Sequence, residues 1–286
     1  LAASNRYPKK AKDIGEAKSL YNEKNWIAIP IVDEELKLLD ISTGEFEIPE
    51  HSHTALNIPV VINAGGRGTR LDPFTRVLPK PLIPVGDIPI IELIMQDYQS
   101  YSCSEFHIIV NYKRDLMKAY FADNDRNYNI TWYDEESPLG TGGGLSLLKG
   151  KVNSTFIFTN CDVLLSANYE PIVESHKANG SPITMVCADK SVSIPYGVVE
   201  VDSDGKLKDM KEKPVFSFLT NTGIYIVEPE VVDDMIDGEA IDFPGIINRQ
   251  RQLGRKVSVF PVSESEWMDM GQISELEKMR EKLYGL

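Results

Sequence analysis

From residue 58 onward the apolar positions follow two alternating rhythms. Runs of four to six residues at 58–63, 106–111, 130–133 and 155–159 read as buried strands. Between them lie stretches with helical spacing at 89–101, 114–122 and 143–148. In the first of these, Ile90, Ile91, Ile94, Met95 and Tyr98 recur every three or four residues, as one buried helical face requires. Strand, helix, strand in succession marks right-handed βαβ crossovers, so this region is predicted to be an α/β fold with a mainly parallel sheet flanked by helices. Beyond Tyr196 the pattern loosens into strands joined by turns such as Asp202-Ser203-Asp204-Gly205, then helical stretches at 243–253 and 273–283.

Upstream, the polar, Pro-containing stretch around 43–57 has no clear period and reads as a linker. Before it, residues 13–23 are predicted to form a helix. Residues 27–32 and 36–41 read as a two-strand unit turning at Asp33-Glu34-Glu35. The predicted organisation is a small α+β module at 1–45, a linker at 46–57 and a main domain at 58–286. The module is too short for a self-sufficient core.

Composition narrows the partners. With 42% hydrophobic and 26% charged residues, the 286-residue chain is an ordinary globular protein, but its net charge of −13 argues against nucleic acid or an anionic membrane as partner. Three widely spaced cysteines exclude a disulfide framework or zinc ribbon and point to the reducing cytoplasm. Among four histidines only His51 and His53 are close together, in the linker. No apolar run reaches the ~20 residues of a membrane span. The start at Leu1, polar at once, shows no signal-peptide core and is expected to reflect trimming.

The most informative segment follows the first strand: Ala64-Gly65-Gly66-Arg67-Gly68-Thr69-Arg70-Leu71-Asp72-Pro73, leading to Pro79-Lys80-Pro81-Leu82. Glycines after a buried strand let backbone N–H groups approach a phosphate. Between Gly65 and Lys80, Arg67, Arg70, Arg76 and Lys80 face a single acid, Asp72, inverting the charge of the whole chain. An anionic ligand is the natural counterpart. No Lys follows a glycine as a P-loop demands, and the triplet from Gly66 and Gly68 ends on Leu71, against a dinucleotide fingerprint.

This segment resembles the signature of sugar-1-phosphate nucleotidyltransferases, and further matches occur in the family's order. Pro138-Leu139-Gly140-Thr141-Gly142-Gly143-Gly144-Leu145 is similar to its base loop, closest to members using GTP, and Asn160-Cys161-Asp162 to its metal motif. Tyr196-Gly197-Val198-Val199, Glu212-Lys213-Pro214 and Asn221-Thr222-Gly223 resemble its sugar-phosphate site. Trp267-Met268-Asp269-Met270-Gly271 resembles its closing motif. The resemblance implies a Rossmann-like mainly parallel mixed sheet of the nucleotide-diphospho-sugar transferase type. It also implies a pyrophosphorylase that joins an NTP, first choice GTP, to a sugar 1-phosphate and releases pyrophosphate.

By the same resemblance, Arg70 and Lys80 hold the reacting phosphates. Ala64, Gly65, Gly66, Gly68 and Thr69, with Gly140, Thr141 and Gly142, bind the nucleotide. Tyr196, Gly197, Glu212, Lys213 and Asn221 bind the sugar phosphate, and Asp162 and Asp269 bind Mg²⁺. A phosphate monoester with a second pKa near ~6 is already a dianion, so no protein base is required. Cys161 stands where the family has glycine, and Gly142 and Gly144 stand where it often has alanine. The first 45 residues resemble part of a CBS unit, which usually binds adenine nucleotides between paired copies. One copy implies an incomplete effector site or pairing across a homo-oligomer. The competing function is a catalytically silent nucleotide-sugar sensor.

Overall fold

The computed structural model describes residues 28–32, 38–43, 53–122 and 127–284. The chain divides into two compact units, Leu1–His53 and Thr54–Leu286. In the first, β1 (Ala28–Val32) pairs antiparallel with β2 (Leu38–Thr43), Ala28 opposite Thr43, the expected two-strand unit. The helix expected at 13–23, the turn at 33–35 and most of the linker lie outside the described residues.

The strands of the second unit are β3 (Val60–Asn63), β4 (Pro84–Val85), β5 (Ile88–Pro89), β6 (Glu105–Val110), β7 (Asn129–Asp134), β8 (Phe156–Asn160), β9 (Val163–Leu165), β10 (Ile183–Ser193), β11 (Val198–Val201), β12 (Leu207–Lys211), β13 (Val215–Val227), β14 (Val257–Ser263) and β15 (Trp267–Asp269). Its helices are α1 (Phe74–Val77), α2 (Ile90–Ser100), α3 (Arg114–Ala122), α4 (Tyr169–Asn179), α5 (Pro229–Asp233), α6 (Phe243–Gln252) and α7 (Ile273–Tyr284). Gly143–Leu148, expected to be helical, is a 3-10 helix. None of the described helices is long and apolar enough to cross a membrane.

Seven strands form one sheet in the order β14-β10-β13-β8-β3-β6-β7. β3 is parallel to β6 and β8, β6 to β7 and β10 to β14, while β13 runs antiparallel to both β8 and β10. The sheet is therefore mixed but mainly parallel. Alternation along β3 sends Val60 and Ile62 to one face and Val61 to the other, and each face has its own core. The first core takes side chains from α2, α3, α4 and α7. The second takes Leu145 and Leu148 of the 3-10 helix with α5 and α6.

After β3 the chain builds outward through β6 and β7, then returns to β8 on the opposite side of β3. That reversal makes the carboxyl ends of β3 and β8 a topological switch point, the place where open α/β sheets bind ligands. The sequence reading passes over residues 160–196, which hold β9, α4 and β10. Their signals were present for α4: Tyr169, Ile172, Val173 and His176 keep helical spacing. Asn168 caps the start by accepting from the Glu170 N–H at 3.0 Å, and Gly180 ends it at φ +58°.

Candidate functional site

The glycine-rich loop leaves the carboxyl end of β3 and folds back on itself. Gly68 sits at φ +64°, and a Cβ there would lie 2.9 Å from both the Lys80 Cβ and the Thr75 Cγ2. The turn that brings Lys80 beneath the loop therefore needs glycine. The backbone N–H groups from Gly66 to Arg70 find no acceptor among the described residues, a run of free donors of the kind that cradles phosphate. Arg76 is bound to Asp72 at 2.6 Å, which takes it out of the loop's basic set and leaves Arg67, Arg70 and Lys80. Ala64 serves the sheet instead: it is 1% exposed and its N–H bonds the Ile109 carbonyl at 2.8 Å.

Lys80 is buried and its ammonium is paired with the Asp162 carboxylate. Asp162 follows β8, which pairs in register with β3, Asn63 opposite Asn160. β15 then lays Asp269 beside Val163 of β9, and the Met270 N–H bonds the Asp162 carbonyl at 2.8 Å. The Asp269 carboxyl is raised above the usual carboxylate range, first by burial and next by the charge of Asp162. Lys80, Arg70 and the Gly271 N–H oppose the rise. Four groups from three separate motifs, Arg70 and Lys80 of the first, Asp162 and Asp269, thus share one electrostatic environment. Cys161, between them, is buried, and burial pushes its thiol up to about 12, which leaves it an inert packing residue.

The expected base loop is held on two sides. The Asp242 carboxylate accepts from the Thr141 N–H at 3.1 Å and the Thr141 hydroxyl at 3.4 Å, and that hydroxyl accepts from the Phe243 N–H at 3.1 Å. The Ile241 carbonyl accepts from Gly142 and Gly143 at 3.0 and 2.9 Å. From the other side, Asn63 donates to the Thr141 carbonyl at 3.2 Å. A Cβ on Gly142 would meet Ile246 Cδ1 at 2.6 Å, so alanine, frequent in the family, does not fit without movement.

Glu135, which the sequence reading missed, lies between the two glycine loops. A Cβ on Gly65 would stand 2.9 Å from its Oε2, and one on Gly144 would stand 2.6 Å from its Oε1. The residue is 4% exposed, Oε1 has no partner, and burial pushes the carboxyl up to about 7 against a bond from the Leu139 backbone.

Of the expected sugar-phosphate residues, Asn221 sits on β13, the strand paired with β8, which leads to Asp162. It bonds the Tyr225 hydroxyl at 2.6 Å and accepts from Gly223, which is packed on Asn160. Tyr196, Gly197, Glu212 and Lys213 come together at the base of the β11–β12 hairpin. The Lys213 N–H bonds the Tyr196 carbonyl at 3.2 Å, and a Cβ on Gly197 would approach Glu212 Oε2 at 3.0 Å. No hydrogen bond or ion pair among the described residues ties this group to Asp162 or Asp269. Lys213 and Asn221 are separated by eight positions of largely extended chain, at most about 26 Å at ~3.3 Å per residue.

A switch point with a free N–H cradle, buried Lys80 and paired acids belongs to a nucleotide-handling class. The family described as Nucleotidyl transferase matches residues 59–284, and the chain belongs to it. Among curated relatives, mannose-1-phosphate guanyltransferase of Schizosaccharomyces pombe is 34% identical over 229 residues, covering 74% of this chain and 60% of that protein. UTP–glucose-1-phosphate uridylyltransferase of Synechocystis sp. is 28% identical over 233 residues with the same coverage. The chain thus spans 60% of the length of these relatives. Among solved structures, HddC from Yersinia pseudotuberculosis shares the fold at a TM-score of 0.62 and 24% identity, over 79% of this chain and 99% of that one. The same protein complexed with GMP-PN gives 0.61 and 23%, again over 79% and 99%.

Proposed function

We propose that the chain transfers a nucleoside monophosphate, first choice guanylyl, from an NTP to a sugar 1-phosphate and releases pyrophosphate. A sugar-phosphate oxygen attacks the α-phosphorus, the new P–O bond forms as the bond to the β-phosphate oxygen breaks, and the electron pair leaves with pyrophosphate. The nucleophile is already anionic, so the protein's task is to position two repelling polyanions and neutralise charge. The carrying observation is the convergence of Arg70, Lys80, Asp162 and Asp269 beside the free N–H groups of Gly66 to Arg70.

In this reading the loop N–H groups and Arg70 hold the triphosphate, and Lys80 turns from Asp162 toward the α-phosphate. Asp162 and Asp269 fit a magnesium site, because two neighbouring carboxylates, one already raised by the other's charge, are the donor set such an ion takes alongside phosphate oxygens. Bound there, Mg²⁺ supplies charge neutralisation at those oxygens. The names of the curated relatives include guanyltransferases and a uridylyltransferase, so base choice needs a local argument. Guanylyl is placed first because the loop Leu139-Gly140-Thr141-Gly142-Gly143-Gly144-Leu145 resembles that of family members using GTP. Asn221 meets the sugar, and the hairpin group Tyr196, Gly197, Glu212 and Lys213 reaches the sugar phosphate by bending of the arm that carries it. The three described cysteines are free and buried, which suits a reducing cytoplasm.

The test is pyrophosphate release from each NTP paired with a panel of hexose, hexosamine and heptose 1-phosphates in magnesium. Release with GTP and at least one sugar phosphate is expected, and silence across the panel defeats the reading. Asp162→Ala should lower kcat by ~10²-fold or more with an unchanged circular-dichroism spectrum.

A further inference from the structure

Residues 66–80 carry Arg70 and Lys80, yet little apolar packing holds the turn between those two cations. Of the four residues of α1 only Thr75 is buried, while Phe74 and Val77 stand 50 and 72% exposed. Polar bonds must fix the turn instead, and among the described residues three tie residues 66–80 to the rest of the protein. One is the Lys80–Asp162 pair. The other two come from neighbours just past the end of β6: the Tyr112 hydroxyl donates to the Thr75 carbonyl at 3.2 Å, and the Lys113 ammonium donates to the Arg76 carbonyl. A four-residue helix leaves such carbonyls without intrahelical donors, so side chains can take them.

Consecutive side chains reach consecutive carbonyls here because the backbone turns at Lys113. This residue, immediately before α3, sits at φ +53°, in the left-handed region that a side chain disfavours. Strain of this kind persists only where the surroundings over-determine it. They do so at both ends. Upstream, β6 pairs with β3 and β7, and Asn111 donates to the Glu135 carbonyl at 2.9 Å. Downstream, the Lys113 carbonyl accepts from the Leu116 and Met117 N–H groups at 3.1 and 3.3 Å, and Met117 and Phe121 of α3 lie in the first core. Tyr112 and Lys113 thus reach α1 from a firm base.

The effect passes to the phosphate cradle through Thr75. Its hydroxyl donates to the Gly68 carbonyl at 3.1 Å, which also accepts from the Leu71 N–H at 2.9 Å. In a planar trans peptide the next N–H points opposite to the carbonyl. A Gly68 carbonyl turned toward Thr75 therefore turns the Thr69 N–H away from it, as one of the run of free donors. In the proposed reaction Lys80 leaves Asp162 for the α-phosphate, after which Tyr112 and Lys113 supply the polar bonds that still moor the loop. Resting on that reading, we propose that Tyr112 and Lys113 are positioning residues for the phosphates of the nucleotide: they hold α1 so that Thr75 keeps the Gly68–Thr69 peptide in its binding orientation.

Steady-state pyrophosphate release and calorimetric binding of GTP and of UTP, each with magnesium, test this on the full chain. Tyr112→Phe and Thr75→Val should each raise KM for the nucleotide and weaken its binding ~3–10-fold, with the sugar-phosphate KM and the thermal melt unchanged. Whichever of the two nucleotides the wild-type chain binds should lose affinity by the same factor, because the relay acts on phosphates and not on the base. The double variant should lose little more than the worse single one, whereas independent defects would multiply. Thr75→Ser keeps the hydroxyl and should bind as the wild type does. Lys113→Met should act in the same direction as Tyr112→Phe and decides the matter if the latter melts early. Unchanged nucleotide affinity in both of these variants, multiplying losses, or equal rises in both KM values overturn the proposal. A wild-type chain that binds nucleotide but releases no pyrophosphate with any sugar phosphate defeats the transfer reading alone, and the affinity ratios then decide the positioning role. A chain that binds neither nucleotide overturns both.

Discussion

Lys80 and Asp162 stand 82 positions apart in the chain, yet their paired side chains are only 10 and 14% exposed. Removing one partner from such a pair leaves a buried charge, which costs about 3–5 kcal/mol, whereas removing both costs much less. Lys80→Ala should therefore destabilise the ligand-free protein more than the Lys80→Ala, Asp162→Ala double variant, as measured by urea unfolding; additive losses would deny the pairing. Asp97 has no part in the chemistry, but burial raises its carboxyl to about 7 despite a bond with Tyr169. A carboxyl raised in the folded state makes its full contribution to stability below its unfolded value near ~4 and loses it as pH rises through ~7. Asp97→Asn should accordingly raise the Tm at pH 8, change it little at pH 4, and flatten the dependence between. Arg70, Lys80, Asp162 and Asp269 were expected through the resemblance of their runs to a family's motifs, since each acid taken alone reads as a turn residue. Glu135 was not, because its unpartnered oxygen exists only once Gly65 and Gly144 close around it.

At the level of elements, the sequence showed β3, β6, β7 and β8 through their apolar runs and α2 through its three-to-four spacing. It did not show how the base loop is held. Thr141 and Asp242 are 101 positions apart, and no local pattern announces that the residue before α6 is the acceptor for the loop. Asp242→Ala should free the loop and raise KM for GTP ~10-fold, with the sugar-phosphate KM and the melt little changed. Asn63→Leu breaks the opposite tie and should act in the same direction. Equal rises in both KM values would mean a general loosening instead. β13 was also hard to read, since its first residues are exposed and its last are buried, giving one strand two different patterns.

At the scale of the whole molecule, among the described residues the two cores draw on the second unit, the earliest contributors being Leu56 and Ile58. The expected boundary rested on a polar, Pro-containing stretch, while packing adds Thr54, bound to Glu170, and Leu56, bound to the Tyr101 carbonyl. The two cores clamp β3 and β8 from both faces, and the β10–β13 arm projects beyond them with exposed side chains. Local opening free energies should differ accordingly: β3 and β8 amides exchange with deuterium only on global unfolding, those of residues 189–219 by local opening. Phosphate-holding groups would then ride on the last part of the protein to unfold, and the hairpin bearing Lys213 on the first. If the proposed roles hold, bond-making is referenced to a stiff floor, and the group around Lys213 sits on the element that opens most readily.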